Sequence, residues 1–427
     1  MRMLAAILLF IFSPPAVVAE PVLLDAYGYI DIERGELIRP AKILIEDNVI
    51  RSINGSRLPP DVRVVALDNK ILLPGLMDMH VHLDLDFDAA NFGIVVTESS
   101  SEAALRGAKN AEQTLMAGFT TVRNVGQVHP SLDLIDVALA QASEQGWIKA
   151  PRIIPAGHMI SILGGHGDLA MAEGLSEGML ELGPEYGVVS GVDDAIKATR
   201  FQIKHGAKVI KIHATAGVMS LEASVGLQQL SDEEMSAIID EARRHEIPVA
   251  AHAHGTDGIK AAIRAGVTSI EHGSILDDEA IRMMKENDVF LVPTNGLMDL
   301  VDFDKLDARK RTKAEYVDPL ADRSLAAAIE GGVNVALGTD APLIPHGMNA
   351  YEIVKMTERG MSPLEALRSA TTVSAKLIGI ENLGQIKEGW HADIVGVDAN
   401  PLEDITVIES VTFVMKAGQI MKNEGSM

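Results

Sequence analysis

The chain has 427 residues, 47% of them hydrophobic, no cysteine and a formal net charge of −23. That is enough apolar material for a large core, and the acidic balance argues against nucleic acid and anionic membranes as partners. Without cysteine, disulfides are excluded and any bound metal must be held by nitrogen and oxygen.

The chain opens with "MRMLAAILLFIFSPPAVVAE": one basic residue, Arg2, then an apolar run from Met3 to Phe12, then small residues ending at Val17 and Ala19. This pattern predicts a signal peptide over residues 1–19, cleaved after Ala19, and an exported protein, periplasmic or secreted. A membrane anchor or a buried strand are the competing readings. The run is too short to span a bilayer comfortably, so no stable membrane anchor is expected.

Residues 20–73 read as short strands such as "AKILIEDNVIRSI", with "EDN" as a hairpin turn. The C-terminal segments "ADIVGVDAN" and "VTFVMKAGQIMKN" alternate in the same way, with "KAGQ" as a turn. Together they predict a small β-sandwich domain built from residues 20–73 and 385–427.

Between them, over residues 74–384, strands alternate with helices. Helical stretches end in glycine before short β-branched strands, as in "LMAGFTTVRNVG", "IKHGAKVIKIHA", "IRAGVTSIEHG" and "IEGGVNVALGTD". Ser231 with Glu234 three residues on is a capping box, and Lys204 and His205 suit a helix C-terminus. The strands "MDMHVHLD", "TTVRNV", "RIIPAG", "KVIKIHA", "VAAHAHG", "SIEHG", "VFLVPTN" and "VALGTD" predict the eight βα units of a (β/α)8 TIM barrel, an α/β fold. Residues 83–101 and 158–190 are long excursions on the side where barrels bind ligands. The acids Asp84, Asp86 and Asp88 in the first of these read as a solvated loop, with selection of a cationic leaving group as the alternative.

Lys211 is out of place in "KVIKIHAT". An ammonium inside a barrel strand is costly unless it is paired or loses its charge. Other polar groups end neighbouring strands: His80 and His82 on the first, His252 and His254 on the fifth, His272 on the sixth and Asp340 on the eighth. The i, i+2 spacing sends His80 and His82 to one side, as two ligands of one ion require. Taken singly, each has an ordinary explanation. A histidine can be a hydrogen-bonded core residue, Asp340 can cap a helix, and Lys211 can snorkel. Their convergence on one rim of an independently argued fold is what speaks for chemistry.

The run "LPGLMDMHVHLD", the lysine of the fourth strand, the histidines of the fifth and sixth and the aspartate of the eighth resemble the amidohydrolase superfamily. The resemblance covers nearly the whole chain after the signal. "GGHGD", "GAKVIKI", "HAHG", "IEHG" and "LGTDAP" are most similar to its Xaa-Pro dipeptidase and carboxypeptidase-like branch, which includes ochratoxinase-like amidases. The sequence departs from that branch at "HATAG", where two adjacent glycines usually follow the threonine. The resemblance implies a binuclear metal centre in which Lys211, carboxylated by CO2, bridges two divalent ions.

The ions expected are Zn2+, with manganese or cobalt as alternatives. One is assigned to His80, His82 and Asp340, the other to His252 and His272. His254 is the competing choice for His252. Asp340 also passes a proton from the attacking water to the leaving amine. The physical case is parallel: two divalent ions about 3.5 Å apart hold a hydroxide and act as Lewis acids, and a carbamate anion is stable between two cations where an ammonium is not. His166, His254, Arg200 and Tyr186 are the candidates to bind a substrate carboxylate, and His213 has no assigned role.

The function expected is hydrolysis of an amide or peptide bond to a C-terminal amino acid, in a small-molecule amide or dipeptide. A mononuclear deaminase, an imidazolonepropionase-like ring hydrolase and a non-catalytic scaffold are the rival readings. The resemblance also implies a homo-oligomer, with an octamer as the candidate size.

Overall fold

A computed structural model of the chain describes residues 20–86, 97–171, 180–220, 222 and 224–424. The predicted signal at 1–19, Asp88 and parts of both long excursions lie outside these residues.

The two ends of the chain meet in one eight-stranded sheet. Strand Arg63–Pro74 lies at its middle, parallel to Val22–Asp31 on one side and antiparallel to Ile394–Val397 on the other. Ala41–Glu46 and Val49–Ile53 extend it on the N-terminal side, Phe413–Lys416 and Gln419–Asn423 on the C-terminal side. Both predicted hairpin turns form. Asp47 and Asn48 have φ of 48° and 68°, and Ala417 and Gly418 have 46° and 74°, the paired positive angles that match strand twist in a two-residue turn. Leu24, Ile43, Ile50, Leu72, Ile394 and Phe413 form the buried core of this sheet. Arg152 joins the sheet to the rest of the molecule through Asp393 at 2.8 Å.

The middle of the chain is α/β with parallel strands. Leu76–Val81, Phe119–Asn124 and Arg152–Pro155 form one sheet, and Ile210–His213, Val249–Ala253, Ser269–His272 and Phe290–Val292 form another. Nearly every strand position is buried, as expected for parallel strands covered on both faces. Ile160 connects the sheets on one side, donating its N–H to Lys211 O at 2.8 Å and accepting from His213 N at 2.9 Å.

The eighth predicted strand, "VALGTD", differs from expectation. It is a bridged segment rather than a regular strand, bonded to Leu291 on one side and to Met79 and His80 on the other. Two features interrupt its ladder. Gly338 passes so close to the first strand that a Cβ there would stand 2.8 Å from His80 Cβ, and Asp340 takes a φ of 56°.

The predicted helix ends also hold. Ser231 and Glu234 complete both arms of the capping box on helix Asp232–Arg243. Helix Val192–His205 places Asp193 and Asp194 in its first turn and Lys204 and His205 in its last, before a left-handed Gly206.

Candidate metal centre

The strand ends carry their polar groups to one place. His80 and Lys211 lie within strands, His272 ends one, and His82 and His254 follow the last residues of theirs. Strand register sets His213 beside His252 and Ala253 beside His272. His272 and Asp340 both have left-handed φ, 69° and 56°. Such angles are uncommon outside glycine, though less so for His and Asp than for most residues, and they cluster at functional sites.

Asp340 Oδ1 lies 3.3 Å from His80 Nε2 and 3.4 Å from His82 Nε2. His80, His272 and Asp340 offer ligand atoms that all lie within 4.8 Å of one another, and so do His252, His254 and His272. His272 belongs to both groups and joins them. The expected ligands His80, His82, His252, His272 and Asp340 are therefore assembled, and the alternative His254 stands with them, its ring stacked on His272 at 5.0 Å.

The outer nitrogens are held by protein groups. His80 Nδ1 donates to Glu271 Oε2 at 2.8 Å and His82 Nδ1 to the Gly126 carbonyl at 2.7 Å. His272 Nδ1 pairs with the Thr294 hydroxyl at 2.7 Å and His254 Nδ1 with the Ser274 hydroxyl at 2.8 Å. Donation from Nδ1 to the Glu271 carboxylate and the Gly126 carbonyl leaves Nε2 of His80 and His82 as lone pairs for an ion, whereas a hydroxyl can donate to Nδ1 of His254 and leave its proton on Nε2. His252 Nε2 is buried with no hydrogen-bond partner. A buried imidazole nitrogen in that condition fits an ion, as does a donor set of nitrogen and oxygen alone.

Electrostatics favour the same use. Burial holds the imidazoles of His252 and His272 well below their ordinary range, so they are neutral and able to ligate. Burial would raise the Asp340 carboxyl, but His80, His82 and His272 hold it well below the carboxylate range. Burial pulls the Lys211 ammonium down to about 8, against the opposing attraction of Glu271 and Asp340. A lysine with a depressed pKa has an appreciable fraction of neutral, nucleophilic amine at neutral pH.

Sequence reasoning missed Glu271 and Arg123. Both are fully buried, and Arg123 holds Glu271 Oε1 at 2.8 Å, Ser269 Oγ at 3.0 Å and the Met79 carbonyl at 2.7 Å. The signal was available: each is a charge inside an apolar strand, like Lys211. Arg123→Met leaves the Glu271 carboxylate buried without its partner. We expect it to destabilise the fold by about 3–5 kcal/mol in urea denaturation and to weaken metal binding at His80. A loss below about 1 kcal/mol would contradict this reading.

Two substrate candidates lie elsewhere. Arg200 is on the outer helical layer, its guanidinium paired with Glu241 at 2.8 Å and largely exposed, so it does not reach the histidines. Tyr186 packs against His158, ring centroids 5.6 Å apart, and is not in the cluster. His166 is in it, 4.4 Å from His252 between centroids, and so is His213 at 5.1 Å. The solvated-loop reading fails for Asp84, which is buried and accepts the amides of Val128 and His129 at 2.8 Å each. Asp86 fits that reading better, in a loose pair with Lys109 at 3.3 Å.

An α/β scaffold of parallel strands, with histidines, a lysine and an aspartate converging at the strand ends, defines a class of hydrolases. The sequence profile of the amidohydrolase family matches residues 71–421, and the chain belongs to that family. It is a hydrolase acting on amide or peptide bonds. The ochratoxinase of Aspergillus niger is 34% identical over 417 residues, covering 92% of this chain and 85% of its own. A crystal structure of a Xaa-Pro dipeptidase with bound methionine in the active site matches with a TM-score of 0.88 and 36% identity, covering 95% of this chain and 100% of that one. A crystal structure of a prolidase complexed with N-methylphosphonate-L-proline matches with a TM-score of 0.85 and 32% identity, covering 95% and 100%.

Proposed function

We propose that the chain is a binuclear, zinc-dependent amidase or peptidase that releases a C-terminal amino acid. The observation that carries this is the joining of two ligand groups, His80–His272–Asp340 and His252–His254–His272, through His272, with Asp340 against His80 and His82 and Lys211 buried. The Xaa-Pro dipeptidase among its relatives, and the prolidase complexed with N-methylphosphonate-L-proline, support a substrate whose scissile amide precedes a free carboxylate. We read the two parallel sheets and the bridged segment as one closed (β/α)8 barrel, completed by a sandwich domain from both termini. Residues 1–19 would export the chain, and a homo-oligomer is its proposed assembly. Among the described residues no helix is long and apolar enough to cross a membrane.

In this reading His80, His82 and Asp340 would hold one ion and His252 and His272 the other, with Lys211, carboxylated by CO2, as a ligand available to both. When bound, such a pair polarises the amide carbonyl and supplies a strong nucleophile from water at neutral pH. The chain does the rest. Asp340 takes the proton of the attacking water at its carboxylate and delivers it to the leaving amine nitrogen. His166 and His254 face the substrate carboxylate as hydrogen-bond donors. Glu271 and Thr294 keep His80 and His272 in position through their Nδ1 atoms.

A panel of Xaa-Pro, Xaa-Arg and N-acyl-phenylalanine substrates, offered to zinc-loaded protein, tests the reading together with metal analysis. Two ions per chain and release of the C-terminal amino acid are expected, with activity lost on chelation and restored by zinc. One ion per chain, or no turnover across the panel by the two-metal form, would overturn it.

A further inference from the structure

We infer that the chain carries an accessory site for a divalent d-block cation, formed by His166, His213 and His252 beside the proposed pair. The ligating nitrogens of these three residues lie within 4.8 Å of one another. Nδ1 of His166, Nδ1 of His213 and Nε2 of His252 are all buried and have no hydrogen-bond partner. His213 is the clearest case. It is 4% exposed, and its ring meets His166 and His252 edge-on at 5.0 and 5.1 Å. Leaving such a nitrogen unsatisfied is costly, and an ion would remove that cost.

The space between the rings is kept clear by two glycines. A Cβ at Gly217 would stand 2.7 Å from His166 Nε2 and 3.0 Å from His252 Nε2, and one at Gly167 would stand 2.5 Å from His213 Nδ1. Three imidazoles without a carboxylate select zinc, copper or nickel over magnesium or calcium.

His252 is shared between this group and the one with His254 and His272. An ion seated on His166 and His213 therefore draws on a ligand of the proposed second ion. Filling the accessory site weakens that ion's hold and lowers turnover, so excess metal acts as a brake. This rests on the metal assignment proposed above.

The test starts from wild-type protein loaded with two equivalents of Zn2+ and titrated with more. Bound metal is measured by equilibrium dialysis with elemental analysis, alongside turnover. A weaker third equivalent is expected, with turnover falling at least about fivefold as it fills. In His213→Leu the tight pair remains while the third ion and the inhibition disappear. His213→Gln serves if the leucine variant does not fold. One equivalent of Cu2+ added to the two-zinc wild type, with zinc retained, should give an EPR spectrum with nitrogen superhyperfine structure. A third ion and inhibition unchanged in a folded His213 variant, or copper bound by oxygen alone, would overturn the accessory site. A wild type with a tight pair and no third ion also overturns it alone. A wild type with no tight pair overturns the proposed function.

Discussion

Lys211→Ala is expected to lose binuclear metal binding and with it amidase activity, by about four orders of magnitude or more. Lys211 is 1% exposed, so its ammonium is shielded from bulk water, and burial brings it down to about 8. Only the neutral amine attacks CO2, and its fraction rises with pH through that value. At constant dissolved CO2, reconstitution of metal-free protein with zinc should therefore speed up from about pH 7 to about pH 9. Protein loaded with 13C-bicarbonate should show a carbamate carbon resonance that the alanine variant lacks. Two ions per chain and full turnover in that variant would end the carbamate proposal.

Asp340→Asn is expected to retain most of its metal and lose about 10³-fold in turnover, with a smaller change in KM. Asparagine tolerates the left-handed backbone at this position, where φ is 56°, so the segment should stay in place. It keeps an oxygen for an ion but cannot accept the proton that the leaving amine needs. The carboxylate is held well below its usual range by its histidine neighbours, so it is ionised and ready to act as a base throughout the neutral range. Near-normal turnover in the variant would remove Asp340 from proton transfer.

Most of the scaffold was legible because its signals are local. Glycine after a helix, a capping box at Ser231 and paired turn residues at Asp47 and Asn48 each depend on a few neighbouring residues. The histidine cluster and its lysine were legible for a related reason: His80, Lys211, His252 and His272 sit in or at the ends of apolar strands, where a polar group needs a purpose. The same logic covers Arg123 and Glu271, but alternation cannot tell a charge that faces an ion from one that pairs with another charge.

Thr294 was hidden more deeply. Its role depends on a φ of 50°, unusual for a β-branched residue and unmarked in the sequence. Arg200 was misread because residue type does not reveal helix face, and its partner Glu241 lies on a neighbouring helix. His213 showed its surroundings only once the loops bearing His166 and Gly217 were in place.

The sheet shared by the two termini has a consequence for how the chain is made. Pro74 pairs with Ile394, so the middle strand keeps one open edge until almost the whole polypeptide has been synthesised. Non-local pairing of this kind is slow, and an unpaired edge invites association with other chains. Truncation before residue 394 would leave that edge exposed permanently. The last strands thus act as a late latch: they complete the sheet only after the candidate ligands, from His80 to Asp340, have all emerged.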